Sequence, residues 1–233
     1  MQGVRVLTSI AFLGGTGPEG LGLALRMALA GHEVTIGSRS VERAEEAAET
    51  LKPTVMAGAR TVRGAVNDKA AAAAEIVVNT LPYSAQAASL PGLAGEIGSK
   101  IFISTVVPLE VDKAGARMVD VPEGSAAEQA RALLPAARVT GAFQTLSAVH
   151  LNQADLPIDA DVLVTGDDKD ARQEVVELAR CIAGVRAVDL GVLARSRLVE
   201  SITPLLINLN RRYKSHTEFK IVGLDGGPDS ASV

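Results

Sequence analysis

One stretch near the amino terminus, GGTGPEG at residues 14–20, limits the possible folds of this chain more than any other sequence feature. Its last six residues fit the pattern G-x-G-x-x-G, which is informative only when a strand precedes it and a helix follows. Both neighbours are present, because residues 9–13 form a short apolar run and residues 18–30 carry leucines and alanines at helical spacing. This context favours a dinucleotide-binding loop over an ordinary glycine turn.

Each part of this loop has an expected role in holding a pyrophosphate. Gly15 is expected to make the tight turn, Gly17 to let phosphates approach the backbone, and Gly20 to let the helix pack closely. The helix would turn its free N–H groups toward the phosphates, and Pro18 at its start loses only an N–H without an intrahelical partner. The predicted cofactor contacts are Gly15, Thr16, Gly17, Pro18, Glu19 and Gly20.

Strands and helices alternate along the rest of the chain. Strands are predicted at 9–13, 33–36, 61–66, 75–81, 100–107, 138–143, 161–165 and 186–190. Helices are predicted at 18–30, 41–51, 70–74, 84–93, 125–134, 166–183 and 193–213, with Pro53 just beyond the second. This alternation is typical of βαβ units. The predicted fold class is therefore α/β, a Rossmann-type, doubly wound and mostly parallel sheet with a smaller C-terminal domain.

The end of the second strand indicates which dinucleotide is bound. An NAD enzyme usually places an acid there for the ribose hydroxyls, whereas this chain has Ser38 and Arg39, with Arg43 one helical turn later. A carboxylate would repel the 2′-phosphate of NADP, and arginine binds phosphate through forked, charge-assisted hydrogen bonds. These three residues therefore predict NADP(H), the alternative being solvated charges at a helix start.

A turn after the predicted strand at 75–81 points to the same crevice. Leu81 and Pro82 follow that strand, and loops at the carboxyl ends of parallel strands line the ligand crevice in such sheets. Both are predicted cofactor contacts. Pro82 and Tyr83 either flank a nicotinamide or form a simple turn, and the residues alone leave both alternatives open.

Residues 1–150 are predicted to form the NADP-binding domain and residues 151–225 a smaller α/β region, which is either a subdomain or a continuation of the sheet. Residues 226–233 are polar and glycine-rich, which predicts a disordered tail.

Composition excludes several other classes of protein. The net charge of −4 and dispersed lysines and arginines argue against nucleic-acid binding. The single cysteine, Cys181, is interpreted as a packing residue in a reducing compartment, and no cysteine or histidine spacing predicts a metal site. Asp167 and Asp168 are interpreted as helix-capping rather than catalytic. No apolar run approaches the roughly 18–20 residues of a membrane span, so a soluble, cytoplasmic protein is expected.

Three segments together resemble a known family. GGTGPEGLGLALRMALAGHEVTIGSRS, EIVVNTLPY and SRLVESITPLLINLNRRYK are similar to the NADPH-dependent coenzyme F420 reductases, also called F420H2:NADP oxidoreductases. The resemblance extends from about Ile10 to Lys214. It implies a Rossmann domain with a smaller C-terminal domain, a homodimer, and hydride transfer between NADP(H) and the deazaflavin of coenzyme F420 as co-substrate. It implies no catalytic side chain, because each cofactor carries its own hydride-exchanging carbon.

The resemblance also implies site residues. Thr16, Ser38, Arg39 and Arg43 are the implied NADP contacts, while Arg197, Ser201 and Thr203 border the deazaflavin pocket and Leu146 lies near the stacked rings. Gln144 stands where family members commonly have histidine, and glutamine keeps hydrogen bonding but carries no charge. Gln144 is accordingly a substrate-binding residue whose identity bears on the acceptor.

Three alternative functions follow from the same residues. A reductase of free flavin or another small acceptor is compatible with Gln144, and a non-catalytic NADP(H)-binding redox sensor would need no second pocket. A reductase of small imines or ketones would need a proton donor, for which Tyr83 is the available residue. The apolar stripe formed by Leu198, Ile202, Leu205, Leu206 and Leu209 indicates core or dimer contacts.

Overall fold

The computed structural model describes residues 7–55 and 62–224. Their strands are β1 (Ser9–Leu13), β2 (Glu33–Ser38), β3 (Val62–Val66), β4 (Ile76–Asn79), β5 (Ile101–Ser104), β6 (Leu109–Val111), β7 (Ala116–Met118), β8 (Arg138–Gly141), β9 (Ala160–Gly166) and β10 (Val185–Gly191). Eight of these form one sheet in the order β10-β9-β8-β5-β4-β1-β2-β3, and β6 and β7 form a separate antiparallel hairpin.

The helices fill the intervals between the strands. They are α1 (Pro18–Leu29), α2 (Val41–Val55), α3 (Asn67–Ala73), α4 (Tyr83–Ser89), α5 (Ala94–Ile97), α6 (Ala126–Leu133), α7 (Ala148–Leu151), α8 (Lys169–Arg180), α9 (Ser196–Glu200) and α10 (Ile202–Tyr213). Short 3-10 helices occur at Leu90–Leu93 and Leu193–Arg195.

The sheet is parallel except between β8 and β9, which pair antiparallel. The six strands on the other side of that pairing run parallel to one another, in the order β3, β2, β1, β4, β5 and β8. β10 is parallel to β9, so both C-terminal strands continue the same sheet. The predicted α/β fold with a mostly parallel sheet is confirmed, while a domain boundary at residue 150 stays a prediction.

Aliphatic residues fill the core, as the composition predicts. Every residue of β4, β5 and β9 is buried, which is the expected state of strands covered by helices on both faces. The described segments also include a buried cation, Arg26 of α1. Its guanidinium donates to the carbonyl oxygens of His150, Leu151, Gln153 and Leu156 at 2.6–2.9 Å and thereby fixes α1 to α7 and the residues after it.

Several element boundaries differ from the sequence predictions. α2 continues to Val55, so Pro53 lies inside its last turn rather than beyond its end. The single helix predicted over 193–213 is divided into a 3-10 turn, α9 and α10, with a break at Ser201. The β6–β7 hairpin was not predicted. Thr61 and the tail at 226–233 lie outside the described residues.

The two aspartates before α8 have different hydrogen-bond partners. Asp168 caps α8 by accepting from the N–H of Ala171 at 2.8 Å, as predicted. Asp167 instead accepts from the N–H of Leu193 at 3.0 Å. Cys181 is half-buried, and its thiol donates to the Glu177 carbonyl. Within residues 7–55 and 62–224, no cluster of metal ligands occurs, and no helix is long and apolar enough to span a membrane.

Candidate functional site

The glycine loop joins β1 to α1 through a turn that only glycine adopts easily. Gly14 has φ +67°, and the Gly15 N–H donates to the carbonyl oxygens of Phe12 at 3.1 Å and Gly37 at 3.0 Å. The left-handed residue of the turn is therefore Gly14 and not Gly15, to which the tight turn was assigned. Gly15 is still restricted to glycine in this packing, because a Cβ there would lie 2.8 Å from the Phe12 Cβ.

Gly17 and Gly20 occupy opposite environments. A Cβ on Gly17 would meet nothing within 4 Å, so this backbone faces open space at the N-cap of α1. A Cβ on Gly20 would lie 2.6 Å from the Gly15 Cα and 2.8 Å from the Thr80 hydroxyl. The loop thus presents bare backbone N–H groups at a 12-residue helix start, which fits a bound pyrophosphate.

The end of β2 lies beside this loop. Ser38 is buried, whereas Arg39 and Arg43 are exposed and make no side-chain hydrogen bond or ion pair within the described segments. Ser40 starts α2 by accepting from the Arg43 N–H at 3.3 Å, and it also donates to the Glu42 carboxylate at 2.6 Å. The two guanidinium groups are therefore free to bind an anion next to Ser38.

Asn67, the first residue of α3, supports the loop, and this role was not predicted. Its Oδ1 accepts from the Gly14 N–H at 3.2 Å, and a Cβ on Gly37 would lie 2.7 Å from the same oxygen. The only sequence signal is its place directly after β3, where Asn-Asp also reads as an ordinary helix start.

A cavity of about 570 Å³ opens next to the glycine loop. It lies at the carboxyl ends of β4, β5 and β8, where ligands bind in sheets of this type. Leu81 packs against the loop, because its Cδ2 lies 2.7 Å from the position of a Cβ on Gly14. The cavity is lined by Glu19, Thr80, Leu81, Pro82, Tyr83, Ser84, Thr105, Val106, Val107, Leu109, Glu110, Val119, Gln144 and Thr203.

Gln144 enters the cavity from a strained stretch of backbone. The residue before it, Phe143, is buried and has φ +71°, which is rare for a bulky side chain. The Thr203 hydroxyl donates to the Gln144 carbonyl at 2.8 Å and fixes the turn to α10. Both polar atoms of the Gln144 side chain are buried and have no hydrogen-bond partner in the part of the chain that the structure describes.

Glu19 is the second unusual polar residue of the cavity. Its Oε1 is buried and unpaired among the described residues. Burial and, secondarily, the nearby Glu218 carboxylate raise the pKa of Glu19 to about 8. Glu218 itself accepts from the Ser147 N–H and lies 2.7 Å from the His150 Nδ1. Glu19 is therefore largely a neutral carboxylic acid at pH 7.

The structure brings together only some of the predicted substrate residues. Gln144 and Thr203 line the cavity, but Leu146 is buried in the main core cluster. Arg197 and Ser201 lie on the exposed surface of α9 and its end, and the Ser201 hydroxyl donates to the Leu198 carbonyl. Roles for Leu146, Arg197 and Ser201 at a deazaflavin stay predictions.

Sequence reasoning missed the cavity residues that follow β5 and those of the β6–β7 hairpin with its flanks. These are Thr105, Val106, Val107, Leu109, Glu110 and Val119. The first three lie inside the strand predicted over 100–107, whereas the structure ends β5 at Ser104. Which loops converge on the cavity depends on the order of the strands in the sheet, which the sequence alone does not give.

Comparisons with known proteins show which family this chain is similar to. Residues 9–108 match the family described as NADP oxidoreductase coenzyme F420-dependent. The chain is 44% identical over 211 residues to an F420-dependent NADP reductase of Methanothermobacter thermautotrophicus, covering 89% of this chain and 91% of that relative. It is 41% identical over 221 residues to an F420-dependent NADP reductase of Methanocaldococcus jannaschii, covering 93% and 99%.

A solved structure is similar over almost the whole chain. It is that of a putative F420 dependent NADP-reductase from Arthrobacter sp. FB24, with a TM-score of 0.78 and 29% identity, and it covers 92% of this chain and 99% of that one.

Proposed function

Because the chain belongs to the family of F420-dependent NADP reductases, we propose that it transfers a hydride between NADP(H) and coenzyme F420. The observation that carries this proposal is the cavity at the carboxyl ends of β4, β5 and β8, which adjoins the glycine loop. A dinucleotide bound along that loop has its reactive end beside a space large enough for a second ring.

The NADP half of the site is built from the glycine loop and the end of β2. Gly17 and the α1 start would hold the pyrophosphate, and Ser38, Arg39 and Arg43 would hold the 2′-phosphate. Two freely exposed arginines and the absence of an acid at the end of β2 support NADP(H) over NAD(H).

The second half is the cavity itself. When both rings are bound there, one of them supplies the carbon that donates the hydride and the other supplies the carbon that accepts it. The chain's own task is to place two rings at reacting distance and exclude water, which needs apolar walls and few polar groups. Leu81, Pro82 and Val106 supply such walls, while Gln144 and Thr203 supply polar contacts. Free flavin is the alternative acceptor, because Gln144 offers an uncharged amide that suits several ring systems.

The quaternary structure and compartment are part of the same proposal. Leu198 and Leu205 are 61% and 57% exposed on α9 and α10, which supports burial against a second copy in a homodimer. The lone half-buried cysteine and the acidic surface charge support a cytoplasmic location with no nucleic-acid partner.

The first test is a direct assay of hydride transfer. Purified protein is mixed with NADPH and oxidised coenzyme F420, and the visible absorbance of the deazaflavin is followed, with NADH and free flavin mononucleotide in parallel. We expect rapid bleaching with NADPH and F420 and little with NADH. Bleaching of the flavin alone would assign the alternative acceptor, and NADPH binding without turnover of either ring would assign a redox sensor.

A further inference from the structure

Two polar side chains of the cavity have hydrogen-bonding atoms that nothing in the described chain satisfies. These atoms are Oε1 of Glu19 and both Nε2 and Oε1 of Gln144. By contrast, the hydroxyl groups of Thr80 and Thr105 in the same cavity each donate to a strand carbonyl. Buried polar atoms are nearly always paired, so unpaired atoms on two residues of one cavity mark the place of a ligand's polar group.

The Gln144 side chain is held in this position. The left-handed Phe143 before it and the Thr203 hydrogen bond to its carbonyl fix its backbone. Its Nε2 lies 3.1 Å from the position of a Cβ on Gly141, so any larger residue at 141 would press on the amide. The amide is thus fixed by packing, and its polar atoms are still unpaired.

The surroundings of Glu19 keep its carboxyl uncharged. Among the ionisable groups, the Glu218 carboxylate interacts with it, and Tyr83 and Glu110 line the same cavity. The nearby His150 is already bonded to Glu218. No lysine or arginine is among the described residues that line the cavity, so no cation compensates a buried negative charge.

Resting on the function proposed above, we infer that Glu19, as a neutral carboxylic acid, and Gln144 together bind an amide or lactam group of a ring in this cavity. A neutral carboxyl and a carboxamide each donate and accept hydrogen bonds. Together they match a ring-borne C=O with its N–H, which both the nicotinamide carboxamide and the lactam edge of a deazaflavin carry. Glu19 then determines specificity through its side chain, beyond the backbone contacts of the glycine loop.

Binding measured at two pH values tests this inference. Dissociation constants for NADP+ and for oxidised coenzyme F420 are titrated separately at pH 7 and pH 9. The proteins are the wild type, Glu19→Gln, Gln144→Leu and the control Glu46→Gln, which removes one exposed carboxylate from α2. For one of the two ligands we expect about tenfold weaker binding at pH 9 in the wild type and in Glu46→Gln, because the carboxyl ionises near pH 8.

The variants separate the two side chains. In Glu19→Gln the same affinity should no longer depend on pH, because an amide does not ionise. Gln144→Leu should weaken binding of that ligand about tenfold at both pH values, the cost of one lost hydrogen bond. A response in the NADP+ titration identifies the nicotinamide as the bound ring, and a response in the F420 titration identifies the deazaflavin.

A readout without any ligand completes the test. Infrared difference spectra between pH 7 and pH 9 should show a protonated carboxyl signal in the wild type that is smaller in Glu19→Gln, where the carboxyl of Glu200, whose pKa burial raises to about 7, still contributes. The inference is overturned if Glu19→Gln leaves that signal unchanged, or if Glu19→Gln keeps the wild-type pH dependence, or if neither titration depends on pH. Should F420 fail to bind the wild type at all, the proposed function fails, and the NADP+ titration and the infrared band still decide the role of Glu19.

Discussion

The arginine residues of this chain differ in whether other parts of the protein bind their guanidinium groups. Arg26 and Arg186 have their guanidinium groups engaged, Arg26 by backbone carbonyls and Arg186 by the buried carboxylate of Asp161. Arg39 and Arg43 have no such contacts within the described residues and stand at the exposed end of β2. Because an exposed cation beside the glycine loop is available to a ligand, we propose these two arginines as the specificity determinants of the NADP half.

We expect Arg39→Ala combined with Arg43→Ala to weaken NADP+ binding roughly a hundredfold or more, since each charge-assisted hydrogen bond contributes about 1.5–3 kcal/mol. NAD+ lacks the 2′-phosphate, so its binding should change little. Isothermal titration with both dinucleotides measures the ratio, and Arg63→Ala, on β3, is a control that removes one positive charge elsewhere. An equal loss for NAD+ and NADP+ would contradict the assignment.

Sequence patterns were enough to predict Ser38, Arg39 and Arg43 as NADP contacts, because that prediction depends only on their distance along the chain from a glycine loop. They did not predict the state of Glu19, because its neutrality depends on burial and on Glu218, almost 200 positions away. The support by Asn67 was missed for the same reason, since a contact to the Gly14 backbone across 53 residues leaves no local pattern.

At the scale of elements, α1 is constrained at its start by two glycines with different surroundings. Its N-terminus faces the open side of the loop at Gly17, and its first turn lies against the loop backbone at Gly20. Gly17 thus leaves open space where we propose that a ligand binds, and Gly20 lets the helix pack closely against the loop. Two glycines three residues apart serve these different purposes, which the motif alone cannot distinguish.

Substituting each glycine separately should distinguish these purposes. Gly20→Ala places a Cβ 2.6 Å from the Gly15 Cα and should destabilise the protein by roughly 1–3 kcal/mol. Gly17→Ala meets no atom within 4 Å and should cost less than about 1 kcal/mol as a poorer N-cap, yet weaken NADP+ binding. Urea unfolding and NADP+ titration measure the two effects. Equal destabilisation by both substitutions would refute this division of roles.

The predicted strands were most accurate where burial is nearly uniform, as in β1 and β9, whose observed bounds lie within one residue of the predicted ones. They failed where a short or broken element depends on its tertiary surroundings. The β6–β7 hairpin has only three residues per strand, too few for a recognisable alternation. No glycine lies at Ser201 to indicate that the helix breaks there. Pro53 lies inside α2, although a proline usually ends a helix before it.

At the scale of the whole molecule, helices pack against the sheet, whereas the C-terminal helices α9 and α10 expose large apolar side chains. Leu198 and Leu205 are more than half exposed, as is Val111 of the β6–β7 hairpin. Large apolar side chains clustered on one surface of a soluble protein usually mark an interface. Arg197 and Ser201 belong to the same α9–α10 segment, so an interface there would change their exposure as well.

We expect Leu198→Glu combined with Leu205→Glu to convert a homodimer into a monomer. Each substitution replaces an apolar contact with a carboxylate, and burying that charge in the interface without a partner is unfavourable. Multi-angle light scattering after size-exclusion chromatography gives the mass directly. Leu29→Glu, an exposed leucine on α1, serves as the matched control and should leave the mass unchanged. A wild-type mass near 24 kDa would rule out the homodimer.

The way Arg26 is bound has a consequence for how acid and base act on this molecule. Its partners are backbone carbonyls, which do not titrate, and although burial lowers its own pKa, an arginine stays charged. The attachment of α1 to α7 and the residues after it is therefore the same in acid and in alkali. Glu218, by contrast, accepts from the Ser147 N–H at the start of α7, and burial raises the pKa of its carboxyl. Changes in proton concentration thus act on this part of the chain through Glu218, while its attachment to α1 stays constant.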